Sequence, residues 1–451
     1  MKSVAVIGAG ITGLTAAFRL KRNGIPATVY EAGRRAGGVI QSVRQDGFLA
    51  ESGPNTLLET APEISQLIRD LNLEPRRLYS HPDAEARFVV LAKQPVAMPS
   101  SPPGIFLSSL LSAGAKFALL REPFIPPRRD DAEESVAEFV SRRLNREFLD
   151  RLVDALVAGI YAGDPYKLSV QHAFPKLARL ETKYGSLIKG QILGARERKK
   201  TGQIAKDRAP KFSFDEGLQV LPDTLASQAD VKFNTPITRL AKSDNVWRVT
   251  TPNGDAEHDA IIYCGTAWRL AELPIIVEKL LDVSLFSEIR YAPVAGVVLG
   301  FRREDVTHPC QGFGILIPKI EGFKILGTIF SSALFPNRAP AGHLLLSSYV
   351  GGERYPELAG LAPDELVTIT CQDLAALLGV RGKPAFVHTA LYPRAIPQYN
   401  LGYGKFKNRM NEIESTAPGL FFAGHFRDGV SLADSIVSGC NAAARVKNFL
   451  S

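Results

Sequence analysis

Val4-Ala5-Val6-Ile7-Gly8-Ala9-Gly10-Ile11-Thr12-Gly13 opens the chain and decides how it folds. Its first four residues are apolar and predict a short buried strand. Glycines follow at 8, 10 and 13, then a helical pattern through Leu14, Ala17, Phe18 and Leu20. Gly24 ends that helix, and Thr28-Val29-Tyr30 predicts a second strand closing on Glu31. Strand, glycine turn, helix, strand and acid make the dinucleotide-binding unit. Gly8 permits the tight turn. Gly10 lets backbone approach a pyrophosphate, and Gly13 lets helix and strand pack closely. The helix start at Ile11 and Thr12 offers free N–H groups and a positive dipole end to phosphate. Glu31 stands where the carboxylate that binds a ribose hydroxyl belongs.

This motif serves FAD and NAD alike. Glu31-Ala32-Gly33-Arg34-Arg35-Ala36-Gly37-Gly38 then adds a basic pair and a second glycine pair, ahead of Phe48-Leu49-Ala50-Glu51-Ser52-Gly53-Pro54-Asn55. A second glycine-rich turn suits a longer ligand. At the far end, Leu420-Phe421-Phe422-Ala423-Gly424 predicts a strand running into a glycine. Gly429-Val430-Ser431-Leu432-Ala433 leads into a helix through Ile436, Val437 and Ala442. A second helix N-terminus is what the N1–C2=O edge of a flavin needs, because its dipole stabilises the charge of the reduced ring. The two ends together argue for FAD. The expected cofactor contacts are Gly8, Gly10, Ile11, Thr12, Gly13, Glu31, Ala32, Arg35, Gly37 and Gly38. Gly53, Pro54, Asn55, Thr56 and Ile237 join them, with Gly424, Val430, Ser431 and Leu432 at the C-terminal helix.

Composition bounds the rest. With 451 residues, 45% hydrophobic and 22% charged, the chain is ordinary globular protein and too long for one simple core. Two or three domains are expected. A net charge of +8 favours anionic partners. No nucleic-acid fold signature is present, so nucleic acid is excluded. Arg196-Glu197-Arg198-Lys199-Lys200, between Gly194 and Gly202, predicts a solvated loop. Cys264, Cys310, Cys371 and Cys440 are scattered, which predicts reduced thiols in a cytoplasmic protein. The seven histidines lack metal-ligand spacing, so no metal is expected. The first strand begins at Ser3-Val4 with no apolar region before it, which predicts no secretory signal. No apolar run is long enough to span a bilayer. The nearest, from Ile105 to Leu120, is interrupted by serines, Gly114 and Lys116. Surface attachment stays open.

Along the chain, Pro62 to Leu73 predicts an amphipathic helix, and Arg87–Leu91 with Pro95–Met98 a hairpin. Pro99, Pro102 and Pro103 then mark a boundary. From Gly104 to Ile204 the pattern is helical, with Asp130-Asp131 as a cap region and a stop at Gly159. Strand-like runs at 231–234, 237–240, 246–249 and 260–263 are expected to complete the nucleotide domain. Val294 to Val350 and Phe386 to Tyr392 predict a second sheet, with Asp364–Leu378 as a helix.

Four further segments carry a resemblance. Gly159-Ile160-Tyr161-Ala162-Gly163-Asp164-Pro165 precedes Leu168-Ser169. Gly327-Thr328-Ile329-Phe330-Ser331-Ser332 precedes Phe335-Pro336-Asn337-Arg338-Ala339-Pro340. Tyr392-Pro393-Arg394-Ala395-Ile396-Pro397-Gln398-Tyr399 and Gly429-Val430-Ser431-Leu432 follow. With the N-terminal layout, these ordered strings resemble the oxygen-dependent protoporphyrinogen oxidases of the flavin amine oxidase superfamily. The chain departs from that pattern at His425, where many relatives have Asn, and at Tyr349, usually Phe.

The resemblance implies an α/β protein with three parts. A Rossmann-type FAD-binding domain takes 1–80, 210–275 and 415–451; a mixed-sheet substrate domain takes 81–98 and 276–414; an inserted helical domain takes 99–209. It implies oxidation of protoporphyrinogen IX by O2 in heme biosynthesis, through bound FAD and with release of hydrogen peroxide. Arg87 matches the position that pairs with a propionate, Leu316, Ile329 and Tyr349 those that sandwich the macrocycle, and Gly163 a loop that approaches it. On pattern alone, Leu316, Ile329 and Tyr349 read as core. No residue presents itself as a general base. In relatives the region that contains Ile105–Leu120 forms a helical domain docking on membrane, so a membrane surface is a candidate partner, as is a second copy of the chain; a buried helix pair of that domain is the equal alternative for the segment. A coproporphyrinogen III oxidase is the main alternative. Flavin amine oxidases and non-oxidising flavoproteins are more distant ones.

Overall fold

The apolar opening run becomes the central strand of a five-stranded parallel sheet. Its order is Asp230–Lys232, Ala27–Tyr30, Val4–Ile7, Ala260–Tyr263 and Leu420–Phe422. Val4, Ala5 and Val6 are fully buried, as a strand covered on both faces requires. The computed structural model describes residues 2–99, 102–128, 132–201 and 209–451. The Ile11–Arg22 helix follows the first strand, and the C-terminal Leu432–Leu450 helix packs alongside it. Contact between them is close: a Cβ on Gly439 would stand 2.4 Å from the Thr12 carbonyl oxygen.

A seven-stranded sheet forms the second layer. Its order is Phe386–Pro397, Tyr291–Arg302, His343–Gly351, Ile325–Phe330, Gly314–Leu316, Arg87–Leu91 and Gln94–Ala97. All neighbours are antiparallel except Gly314–Leu316 with Arg87–Leu91. One face carries Val297, Leu299, Ile315, Phe330 and Leu346 against Leu366, Leu374 and Leu377 of the Pro363–Leu378 helix. Each such side chain contributes about 1.5–3 kcal/mol by leaving water.

The runs at 237–240 and 246–249 do not enter the nucleotide sheet, contrary to expectation. Arg239–Ser243 and Val246–Thr251 are joined by a two-residue turn with Asp244 at φ +53°, so they pair with each other. Gly254–His258, Ile275–Val277 and Lys279–Leu280 complete this separate sheet. It therefore crosses the boundary expected near residue 275.

A helical segment is inserted in sequence between the Gln94–Ala97 and Lys211–Phe214 strands. Ser135 and Glu138 form a capping box on the Val136–Arg143 helix; Asp130 and Asp131 lie outside the described residues. The helix expected to stop at Gly159 continues from Asp154 to Tyr161 and ends at Ala162, φ +46°. Gly159 instead gives room to a neighbour, since a Cβ there would stand 2.8 Å from Leu316 Cδ2. The basic run 196–200 lies within the Leu187–Thr201 helix and not in a loop. Arg, Glu and Lys are good helix formers, and their charge did not override that. Among the described residues no helix is long and apolar enough to cross a membrane.

Candidate functional site

The first glycine turn is shaped for a ligand. A Cβ on Gly13 would stand 2.0 Å from the Gly8 carbonyl oxygen, so only glycine lets helix and strand approach. A Cβ on Gly10 would meet nothing within 4 Å. The space above the start of the Ile11–Arg22 helix is open, as a phosphate cradle must be. Gly38 borders it, its Cβ position 3.7 Å from Gly10 Cα. Arg35 builds this border: its guanidinium donates to the Ala36, Gly38 and Ile40 carbonyls. Gly37 N–H donates to the Ala9 carbonyl at 2.8 Å.

Glu31 ties the turn together. Its carboxylate accepts from Ala9 N–H and Gly33 N–H, both at 2.7 Å. Each oxygen keeps a lone pair, so a ribose hydroxyl is still served. Ala32 is exposed next to it. Thr235 N–H donates to the Glu31 carbonyl at 2.8 Å and brings Ile237 to this end of the sheet.

The second helix arrives on the same side. A Cβ on Gly424 would stand 3.7 Å from Thr12 Oγ1, and Thr12 Oγ1 donates to the Ser435 carbonyl at 3.0 Å. Two helix N-termini therefore converge. The Ser431 hydroxyl accepts from Asp434 N–H at 3.1 Å, so its side chain caps the helix. Backbone around Val430, Ser431 and Leu432 is what remains for a ligand. The turn before it is held by two residues without an assigned role at the sequence level. Tyr399 Oη donates to the His425 carbonyl and accepts from Gly429 N–H at 3.0 Å. Tyr403 Oη donates to the Phe426 carbonyl at 2.6 Å. Tyr399 ended a string that carried the resemblance; Tyr403 looked like any core aromatic.

Strand register builds the other half. Arg87 lies opposite Gly314, Gly314 opposite Ile329, Leu316 opposite Gly327, Gly327 opposite Tyr349, and Tyr349 opposite Gly296. Opposed residues share a face. Arg87, Leu316, Ile329 and Tyr349 thus lie on one face of the sheet, the face away from the Pro363–Leu378 helix. That face meets the segment Ser52–Asn55. A Cβ on Gly296 would stand 3.5 Å from the Ser52 carbonyl oxygen. Asn55 Nδ2 donates to Tyr349 Oη, which donates to the Gly53 carbonyl at 3.3 Å. Pro54 and Thr56 flank these contacts. Burial pushes the Tyr349 phenol well up, so it stays neutral. Arg87 is half-buried with its guanidinium 5.5 Å from the Phe313 ring. No carboxylate pairs with it among the described residues.

Gly163 is not placed with these four. A Cβ there would stand 2.6 Å from Gln398 Oε1, so its smallness serves loop packing. Ala158 and Ala162 of the same segment pack in the cluster that Tyr349 joins. Among the described residues no His, Cys, Asp and Glu cluster could hold a metal.

Two converging helix N-termini, an open strip over glycine and a shared face of apolar residues define a flavoprotein site. A model of the flavin containing amine oxidoreductases matches residues 11–447, and the chain belongs to that family. It is 36% identical to protoporphyrinogen oxidase 2 of Arabidopsis thaliana, over 100% of this chain and 94% of that one. It is 29% identical to coproporphyrinogen III oxidase of Bacillus subtilis (strain 168), over 100% of this chain and 98% of that one. A solved structure from Exiguobacterium sp. 255-15, 23% identical, shares the fold with a TM-score of 0.81 over 99% of each chain. The expected α/β fold class stands, FAD is the cofactor, and the protein is an FAD-dependent oxidoreductase.

Proposed function

We propose that the protein oxidises protoporphyrinogen IX to protoporphyrin IX. The reaction removes six electrons in three two-electron steps; bound FAD supplies the hydride-accepting chemistry, and O2 takes the electrons on to hydrogen peroxide. One observation carries the reading: Arg87, Leu316, Ile329 and Tyr349 share the sheet face that abuts Ser52–Asn55. In this reading residues 1–80, 210–275 and 415–451 hold FAD, 81–98 and 276–414 form the substrate wall, and 99–209 form the helical domain. Leu316, Ile329 and Tyr349 present an apolar surface to the macrocycle and exclude water from its reacting carbons. Arg87 holds a propionate, for which a guanidinium fork is well shaped. Gly163 supports the loop behind the ring.

The choice between substrates follows from charge. Among the described residues on the strands of that face, Arg302 at the far end is paired with Glu304. Arg394, in the edge bulge, is exposed, whereas Arg87 is half-buried on the wall, over the Phe313 ring and with no carboxylate partner among those residues. One half-buried guanidinium at one side suits propionates gathered on one edge. Coproporphyrinogen III brings propionates to both edges, and an uncompensated buried carboxylate costs several kcal/mol. Porphyrin fluorescence, followed with both porphyrinogens at equal oxygen, tests this. A higher kcat/KM for protoporphyrinogen is expected. A tenfold preference for coproporphyrinogen III overturns the choice of substrate but not the reaction class.

We also infer a cytoplasmic protein that works at a membrane surface, without assigning it an oligomeric state beyond a candidate homodimer. Leu107, Phe117 and Phe124 are 88%, 60% and 84% exposed, close in sequence to Lys116 and Arg121. Apolar tips with basic neighbours suit an anionic lipid surface. Sedimentation with vesicles containing phosphatidylglycerol should carry the protein down, and Leu107→Ser with Phe124→Ser should abolish it. A wild type that stays in the supernatant rejects the attachment.

A further inference from the structure

His425 sits in the turn between the Leu420–Phe422 strand and the Leu432–Leu450 helix, directly after Gly424. Its Nε2 lies 3.3 Å from Tyr291 Oη. That hydroxyl already accepts from Ala267 N–H at 3.2 Å. Among the described residues the Tyr291 proton then has one acceptor within reach, which is His425 Nε2. An unmade hydrogen bond in such a place is costly, so this orientation is favoured over one in which Nε2–H donates to the second lone pair of the phenol and leaves its proton unmet. Nε2 is therefore unprotonated, and the ring proton resides on Nδ1. No partner meets Nδ1 among the described residues. The backbone on either side is fixed, because Gly424 N–H donates to Ser438 Oγ before the ring, and after it Tyr399 Oη grips the His425 carbonyl and Tyr403 Oη the next one. The turn thus holds a rigid, uncharged donor with nothing to donate to.

We propose that His425 Nδ1–H is the donor this turn gives to the polar edge of the flavin, and that Tyr291 is the positioning residue that fixes its tautomer. This rests on the FAD reading of the site. Burial pushes the imidazole down to about 4, which agrees with a neutral ring at working pH. A neutral donor stabilises charge that develops on the reduced flavin edge, in the manner of other preorganised donors, without placing a cation there. Losing it weakens the reduced state.

The test compares FAD-loaded wild type, His425→Phe, His425→Asn and Tyr291→Phe by spectroelectrochemistry. His425→Phe keeps a ring but has no donor. Its preference for the reduced flavin should fall about tenfold, a downward shift of about 30 mV for a two-electron couple. His425→Asn retains an N–H donor and should stay near wild type. Tyr291→Phe should shift downward too, because the tautomer is no longer held. Unchanged potentials in His425→Phe and Tyr291→Phe overturn the proposal. So does a fall in His425→Asn as large as in His425→Phe. If His425→Phe fails to bind FAD, Tyr291→Phe decides alone, and an unchanged potential overturns the proposal. A colourless wild type contradicts the FAD reading itself and is seen at purification, before any variant is compared.

Discussion

Asn55 and Tyr349 meet across the two halves of the molecule: the Asn55 amide donates to the Tyr349 hydroxyl. The amide is itself held, since Ser331 Oγ donates to Asn55 Oδ1 at 3.3 Å. The Ser52–Asn55 segment and the His343–Gly351 strand are therefore held together by one phenol. Tyr349→Phe leaves Asn55 Nδ2 and the Gly53 carbonyl short of a partner. Thermal unfolding of the FAD-loaded variant should show a loss of about 1–3 kcal/mol, the scale of leaving a buried polar group without its partner. Flavin should remain bound. An unchanged Tm means that solvent replaces the phenol at no cost.

Gly10 and Gly13 make a discriminating pair. Gly10 has ordinary extended backbone, φ −70° and ψ 171°, and open space above it. Gly10→Val should fold and lose flavin, because the side chain fills the strip where phosphate belongs. Gly13→Ala should instead lose stability, since its Cβ collides with the Gly8 carbonyl. Circular dichroism with flavin absorbance separates the two outcomes. Full flavin occupancy in Gly10→Val reduces the motif to a turn.

Arg87→Ala should raise KM for the porphyrinogen more than it lowers kcat. A remote carboxylate is held equally in the ground and transition states. The loss should be about 1.5–3 kcal/mol, that of a charge-assisted hydrogen bond. Steady-state kinetics decide, and an unchanged KM places Arg87 outside the slot.

Glu122 links acid to the stability of the helical segment. It is fully buried. Burial alone raises its carboxyl, but bonds from Ser186 Oγ, Leu187 N–H, Arg143 and Ile188 N–H outweigh this and hold it below its ordinary 4.5. A depressed folded pKa gives stability that is complete above 4.5 and lost as pH falls through the folded value. Urea midpoints should hold at neutral pH and fall at pH below about 4.5. Glu122→Gln should be destabilised by about 1.5–3 kcal/mol at pH 7, the scale of a hydrogen bond to a charged group, because the buried Arg143 keeps only Glu181, at 3.4 Å, as a carboxylate partner, and should be less sensitive to acid.

The sequence made much of this legible, for local reasons. The N-terminal unit is a continuous run, so its glycines, helix and acid could be assigned from spacing alone. The same holds for the 87–97 hairpin and the C-terminal helix. Pairing was harder. Nothing local tells Arg239–Ser243 to turn back on Val246–Thr251 instead of joining the Val4–Ile7 sheet. Gly159 and Gly163 were visible as glycines, but their purpose, room for Leu316 and for Gln398, depends on chains more than 150 residues away. Tyr291, Tyr399 and Tyr403 act through hydroxyls on distant carbonyls and a distant ring nitrogen, so periodicity shows them as core.

The order of strands in the parallel sheet sets a schedule for the cell. Val4 pairs with Ala260, and Ile261 with Leu420. On a ribosome adding about 5–20 residues per second, the first strand waits roughly 10–50 s for one neighbour, and the sheet waits roughly 20–80 s for its last. Throughout that interval an apolar strand with one unpaired edge is in the open, and the groove between the two helix starts does not exist. Flavin cannot bind co-translationally to the N-terminal unit as a finished pocket. Loading of FAD is an event of the completed chain, and a truncation that removes residues after 420 should leave the glycine motif intact and the protein colourless.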